Sequence, residues 1–305
     1  MGIKKVIFII GPTAAGKSDL ALKLAKKLGG EIISADSMQV YRGMDIGTAK
    51  PSREELKEVK HYLIDSIMPD EPWSVSDFID NVRDLTKMIV KKSKIPIIVG
   101  GTGLYINSLL EGYSFPVIRK DEKIRRMLEE EAGLYGSAML HERLKDIDRT
   151  AAENIHPNDK KRIIRALEVY EITGKPISKL REKGKSVLPY PAVLIGLKMD
   201  REKLYKRIDS RIDGMLERGL IEEVRKLIKK GYDRSFTSME AIGYKEVIGY
   251  IRGECSYDEM AEKLKRNTRN FAKRQMTWFK RFKNVEWFDV EKLKLNDIIN
   301  AIKEG

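Results

Sequence analysis

Five consecutive apolar residues, Val6-Ile7-Phe8-Ile9-Ile10, run straight into Gly11-Pro12-Thr13-Ala14-Ala15-Gly16-Lys17-Ser18. The octapeptide fits G-x-x-x-x-G-K-[ST] at every fixed position, and an Ala/Leu-rich helical pattern over 20–28 follows it. Buried strand, glycine-bearing loop and helix in that order describe a phosphate-binding loop. Backbone N–H groups along 11–18 wrap a di- or triphosphate at a helix N-terminus. Lys17 neutralises the outer phosphates and the Ser18 hydroxyl holds Mg²⁺. The ligand class is therefore a pyrophosphate-bearing small molecule. The loop alone leaves open whether that phosphate is transferred, hydrolysed or discarded.

Four further apolar runs read as strands, at 31–35, 62–65, 95–99 and 192–197, with helical patterns between most of them. Alternation opened by a phosphate loop implies an α/β fold, a P-loop NTPase-like parallel sheet flanked by helices. Ligands in such sheets sit at the carboxyl ends of the strands. From 112 to 190 strand signal is scarce and helical stretches dominate. This interval reads as a helical insertion domain, closed by Leu188-Pro189-Tyr190-Pro191, since closely spaced prolines stop helices. The core domain is then 1–111 with 191–305, and its basic remainder from 201 to 304 reads as mostly helical.

At 305 residues the chain is long enough for one large core and a second small domain. No apolar stretch approaches the roughly 18 residues of a membrane span, and no signal-peptide pattern opens the chain. The single cysteine, Cys255, cannot form an internal disulfide framework. A cytoplasmic location is expected. The net charge of +13 raises the expectation of a polyanionic partner, and its distribution matters more than its sum.

Several polar residues fall where such a sheet binds ligands. Asp36, in Ser34-Ala35-Asp36-Ser37-Met38-Gln39, closes a strand and is placed to hold Mg²⁺, act as a base or cap a turn. Asp65 ends a short Walker-B-like run, with a metal role and simple capping equally open. Gly100-Gly101-Thr102-Gly103 has more glycine than a turn needs, which favours close approach of a ligand, with Thr102 offering a hydroxyl. Lys161, Arg162 and Arg165 form a basic face at a helix start, where they oppose the helix dipole unless an anion is present. Arg218 precedes Gly219 at a helix end, where a cation has an ordinary stabilising role. Residues 261–283 carry nine basic side chains against one acid, Glu262. On a helix, Phe271, Gln275, Trp278 and Phe282 make a stripe that reads as core. Arg266, Arg269, Lys273 and Lys280 make a second stripe suited to a phosphate backbone.

Taken together these segments resemble the tRNA dimethylallyltransferases, or tRNA isopentenyltransferases, of the bacterial type. The resemblance rests on the phosphate loop, Ser34-Ala-Asp-Ser-Met-Gln-Val-Tyr41, Gly47-Thr-Ala-Lys-Pro51 and Val99-Gly-Gly-Thr-Gly-Leu-Tyr105. It continues through Arg162-Ile-Ile-Arg-Ala-Leu-Glu-Val-Tyr170, Met215-Leu-Glu-Arg-Gly-Leu220, Ala241-Ile-Gly-Tyr-Lys-Glu246 and Thr268-Arg-Asn-Phe-Ala-Lys-Arg-Gln275. The phosphate loop departs from many relatives only in Ala15 and Ser18, and Ser18 keeps the hydroxyl.

The resemblance implies transfer of a dimethylallyl group from dimethylallyl diphosphate to N6 of the adenosine just 3′ of the anticodon, position 37, in tRNAs reading codons that begin with U. Asp36, Thr102 and Arg218 become the catalytic set. Gly11, Pro12, Thr13, Ala14, Ala15, Gly16, Lys17 and Ser18 bind the diphosphate, with Mg²⁺ on Ser18. The tRNA is met by Asp36, Ser37, Met38, Gln39, Thr102, Arg125, Lys161, Arg162, Ile163, Ile164 and Arg165. The implied partners are the tRNA anticodon stem-loop and dimethylallyl diphosphate, with no membrane, and a monomer is expected. The first rival reading is prenylation of free adenine nucleotides. A metabolite kinase and a non-catalytic RNA-binding protein are the others.

Overall fold

The computed structural model describes residues 5–113, 118, 121–180 and 188–304. The chain divides into two compact units, Met1–Leu110 with Leu188–Gly305, and Glu111–Val187.

The larger unit is built on six strands: β1 Val6–Ile10, β2 Gly30–Ser34, β3 His61–Tyr62, β4 Ile95–Gly100, β5 Ala192–Lys198 and β6 Val285–Asp289. They lie in the order β3-β2-β4-β1-β5-β6, and every pairing is parallel. All five residues of β1 are fully buried, as expected for a central strand covered on both faces. Ile7 and Ile9 join Leu20, Leu24, Ile97, Val193 and Ile195 in one core cluster. Because β2, β4 and β1 are neighbours in register, the turns after them emerge side by side at the carboxyl edge. That topology brings Asp36, Gly101 and the phosphate loop together.

One expectation from the sequence is corrected here. The run at 62–65 does not continue as a strand, because Leu63 and Asp65 take left-handed φ values of 59° and 50°. The segment from 201 onward is mostly helical as expected, and it also supplies a strand the sequence did not announce: β6 pairs with β5 from Leu194↔Val285 to Lys198↔Asp289. Val285-Glu-Trp-Phe-Asp289 is short and half polar, and its pairing depends on a neighbour distant in sequence. Gly196 makes that neighbour possible: a Cβ there would lie 2.6 Å from the Trp287 ring.

The smaller unit contains helices Glu122–Tyr135, Ser137–Ile147, Arg149–Asn154, Lys160–Thr173 and Ile177–Leu180. Asp121, Asp148 and Asp159 cap three of them by accepting first-turn amide hydrogens. Its core gathers Leu128, Leu140, Leu144, Ile163, Ile164 and Leu167. Among the described residues no helix is long and apolar enough to cross a membrane.

Candidate active site

The phosphate loop leaves β1 at Gly11, whose φ of 146° and lack of a Cβ are both required. A Cβ there would lie 2.7 Å from the Leu197 carbonyl. Ala14 and Gly16 then adopt φ values of 63° and 82°, turning the loop into the helix Lys17–Leu28. First-turn amides of a helix have no intrahelical acceptor, and no side chain caps this one. Those donors are available to a phosphate. Thr13 differs: its amide donates to Gln275 Oε1 at 2.8 Å, while Gln275 Nε2 donates to the Gly101 carbonyl at 3.0 Å. One buried carboxamide thus ties the phosphate loop to the turn after β4.

Two cations stand against the loop. Lys17 Nζ donates to the Pro12 carbonyl at 2.8 Å. Burial first, and the neighbouring Arg211 charge second, pull the Lys17 ammonium down to about 7, while Asp36 pulls the other way. Arg211 approaches Thr13 Oγ1 at 3.4 Å, and burial lowers its pKa against the opposing Asp36 charge. Among the described residues neither cation has a carboxylate within ion-pair distance.

Asp36 sits just past β2. Its Oδ1 accepts the Met38 amide at 2.9 Å, which orients the carboxylate and leaves Oδ2 for another donor. Thr102 Oγ1 accepts the Ser37 amide at 3.3 Å, joining the turns after β2 and β4. Gln39 is held at both ends: Oε1 accepts from Ser34 Oγ at 2.8 Å, and Nε2 donates to the carbonyls of Thr48 and Ala49 at 3.2 and 3.3 Å. A narrow cavity of about 100 Å³ is lined by Thr13, Lys17, Asp36, Gln39, Arg211 and Phe271, among others. A wider cleft of about 630 Å³ lies over Ala14, Lys17, Ser18, Lys206, Arg207 and Arg211, and the two share Lys17, Ser18, Ala49, Pro51 and Arg211.

Gly100 and Gly101 line the narrow cavity, and the glycines at the end of β4 and in the turn after it also make room for protein neighbours. A Cβ on Gly100 would lie 2.3 Å from the Ala35 carbonyl oxygen, one on Gly101 2.0 Å from Gln275 Nε2, and one on Gly103 2.9 Å from Trp278. Glycine density there reflects close packing against β2 and the helix Tyr257–Phe279, rather than space kept for a ligand alone. Asp65 is taken up by the buried Lys50 ammonium at 2.5 Å, at the sheet edge, and does not line either cavity. Arg218 is the exposed C-cap of the helix Arg201–Glu217, two turns beyond Arg211, about 10 Å along the axis.

In the helical unit, Lys161 and Arg162 are exposed at the start of their helix. Ile163 and Ile164 are buried in its core and present no side chain to solvent. Arg125 and Arg165 both pair with Glu168, whose side chain is fully buried, at 2.9 and 2.8 Å. Burial raises the Glu168 pKa, yet the hydrogen bonds from Arg165 and Arg125 outweigh it and hold the group below the usual carboxylate range. Within the basic track, Arg269 is spent on Asp209, its Nη1 reaching both carboxylate oxygens at 2.8 Å, while Arg266, Lys273 and Lys280 are exposed.

Sequence reasoning missed Arg211 and underread Gln275 and Phe271. Arg211 lies in an ordinary polar helix with no local signal. Gln275 left a trace: it was the one carboxamide in a stripe otherwise aromatic.

A parallel sheet with a phosphate loop after its central strand, and a carboxylate from the neighbouring turn beside it, defines a P-loop α/β protein. Residues 39–282 match the family model described as IPP transferase. The tRNA dimethylallyltransferase of Acetivibrio thermocellus is 52% identical over 300 residues, 98% of this chain and 96% of the relative. That of Carboxydothermus hydrogenoformans is likewise 52% identical over 98% of this chain and 96% of its own. The crystal structure of the tRNA isopentenylpyrophosphate transferase from Bacillus halodurans superposes with a TM-score of 0.72 at 45% identity, covering 99% of this chain and 97% of that one. A eukaryotic dimethylallyltransferase acting on tRNA gives a TM-score of 0.80 at 31% identity, over 98% of this chain and 78% of its own. The chain belongs to the IPP transferase family. It is a prenyltransferase that transfers a dimethylallyl group to tRNA.

Proposed function

We propose that the acceptor is N6 of the adenosine at position 37, 3′ of the anticodon in tRNAs reading codons that begin with U, and that the phosphate loop holds the diphosphate of dimethylallyl diphosphate. The observation that carries this reading is the shared cavity, lined by two cations without an ion-pair partner among the described residues, Lys17 and Arg211, and by the Asp36 carboxylate. A diphosphate supplies the charge that the cations lack, and a carboxylate faces the place where an amine would attack.

The reaction breaks the bond between the allylic C1 and the diphosphate oxygen and forms the N6–C1 bond. The exocyclic amine is a weak nucleophile, because its lone pair is delocalised into the ring. Asp36 Oδ2 accepts its hydrogen bond, then its proton, as positive charge builds at nitrogen. The allylic carbon tolerates cationic character, so stabilising the leaving pyrophosphate matters most. Lys17, Arg211 and the first-turn amides carry that task, with Arg218 as a more distant cation. The donor set also suits Mg²⁺. That ion keeps several waters and takes one or two protein oxygens plus phosphate oxygens, and Ser18 offers an exposed hydroxyl beside Lys17 at the cleft. Bound there through Ser18, Mg²⁺ would neutralise diphosphate charge. The target base must leave its stack. Ser37, Met38, Gln39 and Thr102 receive it, and Lys161, Arg162 and the free cations of the basic track meet the phosphate backbone. Arg125 and Arg165 combine a tRNA-facing role with their hold on Glu168, and Ile163 and Ile164 support them from the core.

A single-turnover assay tests the reading, with radiolabelled dimethylallyl diphosphate offered to an unmodified anticodon stem-loop and to AMP. Label is expected on the stem-loop alone, and Asp36→Ala is expected to abolish it. Label on AMP alone would replace the tRNA acceptor with a free nucleotide.

A further inference from the structure

We infer that Glu223 and Tyr244 are positioning residues for the acceptor side of the site, acting through the loop at residues 45–50. This rests on the reading of Gln39 as part of the acceptor pocket. Neither residue lines the cavity or the cleft.

The Glu223 carboxylate accepts four hydrogen bonds. Three come from consecutive backbone amides: Asp45 at 3.0 Å and Ile46 at 2.8 Å on Oε2, and Gly47 at 3.2 Å on Oε1. The fourth comes from the fully buried Tyr244 hydroxyl at 2.6 Å. Three successive amides converging on one carboxylate form an anion-binding nest. Here the anion is the protein's own. The adjacent Glu222 shows the ordinary alternative, an exposed i,i+3 pair with Arg225 at 3.3 Å.

The clamp fits one backbone path only. A Cβ on Gly47 would lie 2.5 Å from the Tyr244 ring, so the loop is pressed flat on that ring. Lys50 fixes the far end: its side chain is 4% exposed, and its ammonium donates to the Tyr41 carbonyl at 2.6 Å and to Asp45 Oδ1 at 2.7 Å. Between these anchors Ala49 takes a left-handed φ of 47°, a conformation that persists in a non-glycine residue when its surroundings over-determine it. The output of the clamp is the pair of carbonyls on Thr48 and Ala49, which take both Nε2 hydrogens of Gln39. Gln39 Oε1 is thereby turned toward Ser34 at the end of β2, two residues before Asp36. Glu223 thus sets the orientation of a side chain in the cavity through the loop it grips, without touching a substrate.

The test uses the full chain with Glu223→Gln, Tyr244→Phe, Gln39→Met and the Glu223→Gln/Gln39→Met double variant. Steady-state kinetics with the stem-loop and dimethylallyl diphosphate are read beside Tm. Misplacement of a pocket group by an ångström is worth up to about a hundredfold. Glu223→Gln is therefore expected to lower kcat/KM for the stem-loop by about tenfold or more, and Tyr244→Phe by about threefold, with KM for dimethylallyl diphosphate held within about twofold. Residues acting through one another are non-additive, so the double variant is expected to be no worse than Gln39→Met. Additive losses, or loss of both substrates in step with Tm, would overturn the inference while leaving the acceptor assignment intact. A wild-type enzyme that fails to label the stem-loop would overturn the acceptor assignment and this inference with it. Should Glu223→Gln not fold, Tyr244→Phe replaces it in the same cycle.

Discussion

Two pairs of basic residues in this molecule look alike in sequence and differ in what neutralises them. Arg125 and Arg165 converge on the buried Glu168 carboxylate, inside the helical unit. Lys17 and Arg211 converge on the phosphate loop, with no carboxylate in ion-pair range among the described residues and mutual repulsion between them. A buried charge with an internal partner holds a fold together. Half-buried charges of one sign with no partner in ion-pair range, as at Lys17 and Arg211, are unfavourable by themselves and mark a place where a ligand of opposite sign is expected.

The largest effect separating the pairs is kinetic. Lys17→Met and Arg211→Ala are each expected to lower kcat/KM for dimethylallyl diphosphate by about 100- to 1000-fold, the usual loss when one donor to a developing anion is removed. Losses below about tenfold would mean that the diphosphate does not sit between these cations. The opposite pair should respond in stability. Glu168→Gln is expected to cost about 3 kcal/mol in chemical denaturation, because it leaves two partly buried guanidinium groups without their anion. Steady-state kinetics for dimethylallyl diphosphate should then be unchanged, and a matching kinetic loss would tie the helical core to the donor site.

The smallest effect concerns pH. With its pKa near 7, Lys17 in the free enzyme carries full charge below that value and loses it as pH rises. An anionic substrate needs the charged form, so kcat/KM for dimethylallyl diphosphate should fall as pH rises through about 7, approaching about tenfold per unit well above it. A profile flat from pH 6 to 9 would indicate that Lys17 remains an ordinary, fully charged lysine. Lys17→Arg, which cannot deprotonate in this range, should remove the fall if it preserves activity.

How far the sequence carried differs sharply between local and distant features. Val6–Ile10, the phosphate loop and the helix after it were legible because each depends on contiguous chemistry: apolar continuity, glycine at left-handed positions, and a lysine-serine pair at a helix start. Strand β6 was not legible, since Val285–Asp289 is too short and polar to announce itself and is a strand because β5 offers Gly196 opposite Trp287. The glycines at 100, 101 and 103 were visible, but their reason was not. Each leaves room for a specific neighbour, two of them on a helix more than 150 residues away.

The same division runs through the active site. That Asp36, Lys17 and Ser18 lie together at the carboxyl edge of the sheet was readable from position, because a residue at the carboxyl end of a parallel strand has few places to point. Arg211 and the Glu223–Tyr244 clamp carry no local signature, and Gln275 only a faint one. Their meaning comes from burial and from partners distant in the chain: Gln275 and the Thr13 amide, Arg211 and Lys17, and Glu223 and the amides at 45–47. Periodicity and motif report what a segment does with its own neighbours. Whether a charge is neutralised, or a carboxamide is structural, depends on which surfaces folding brings against it, and three-dimensional packing alone supplies that.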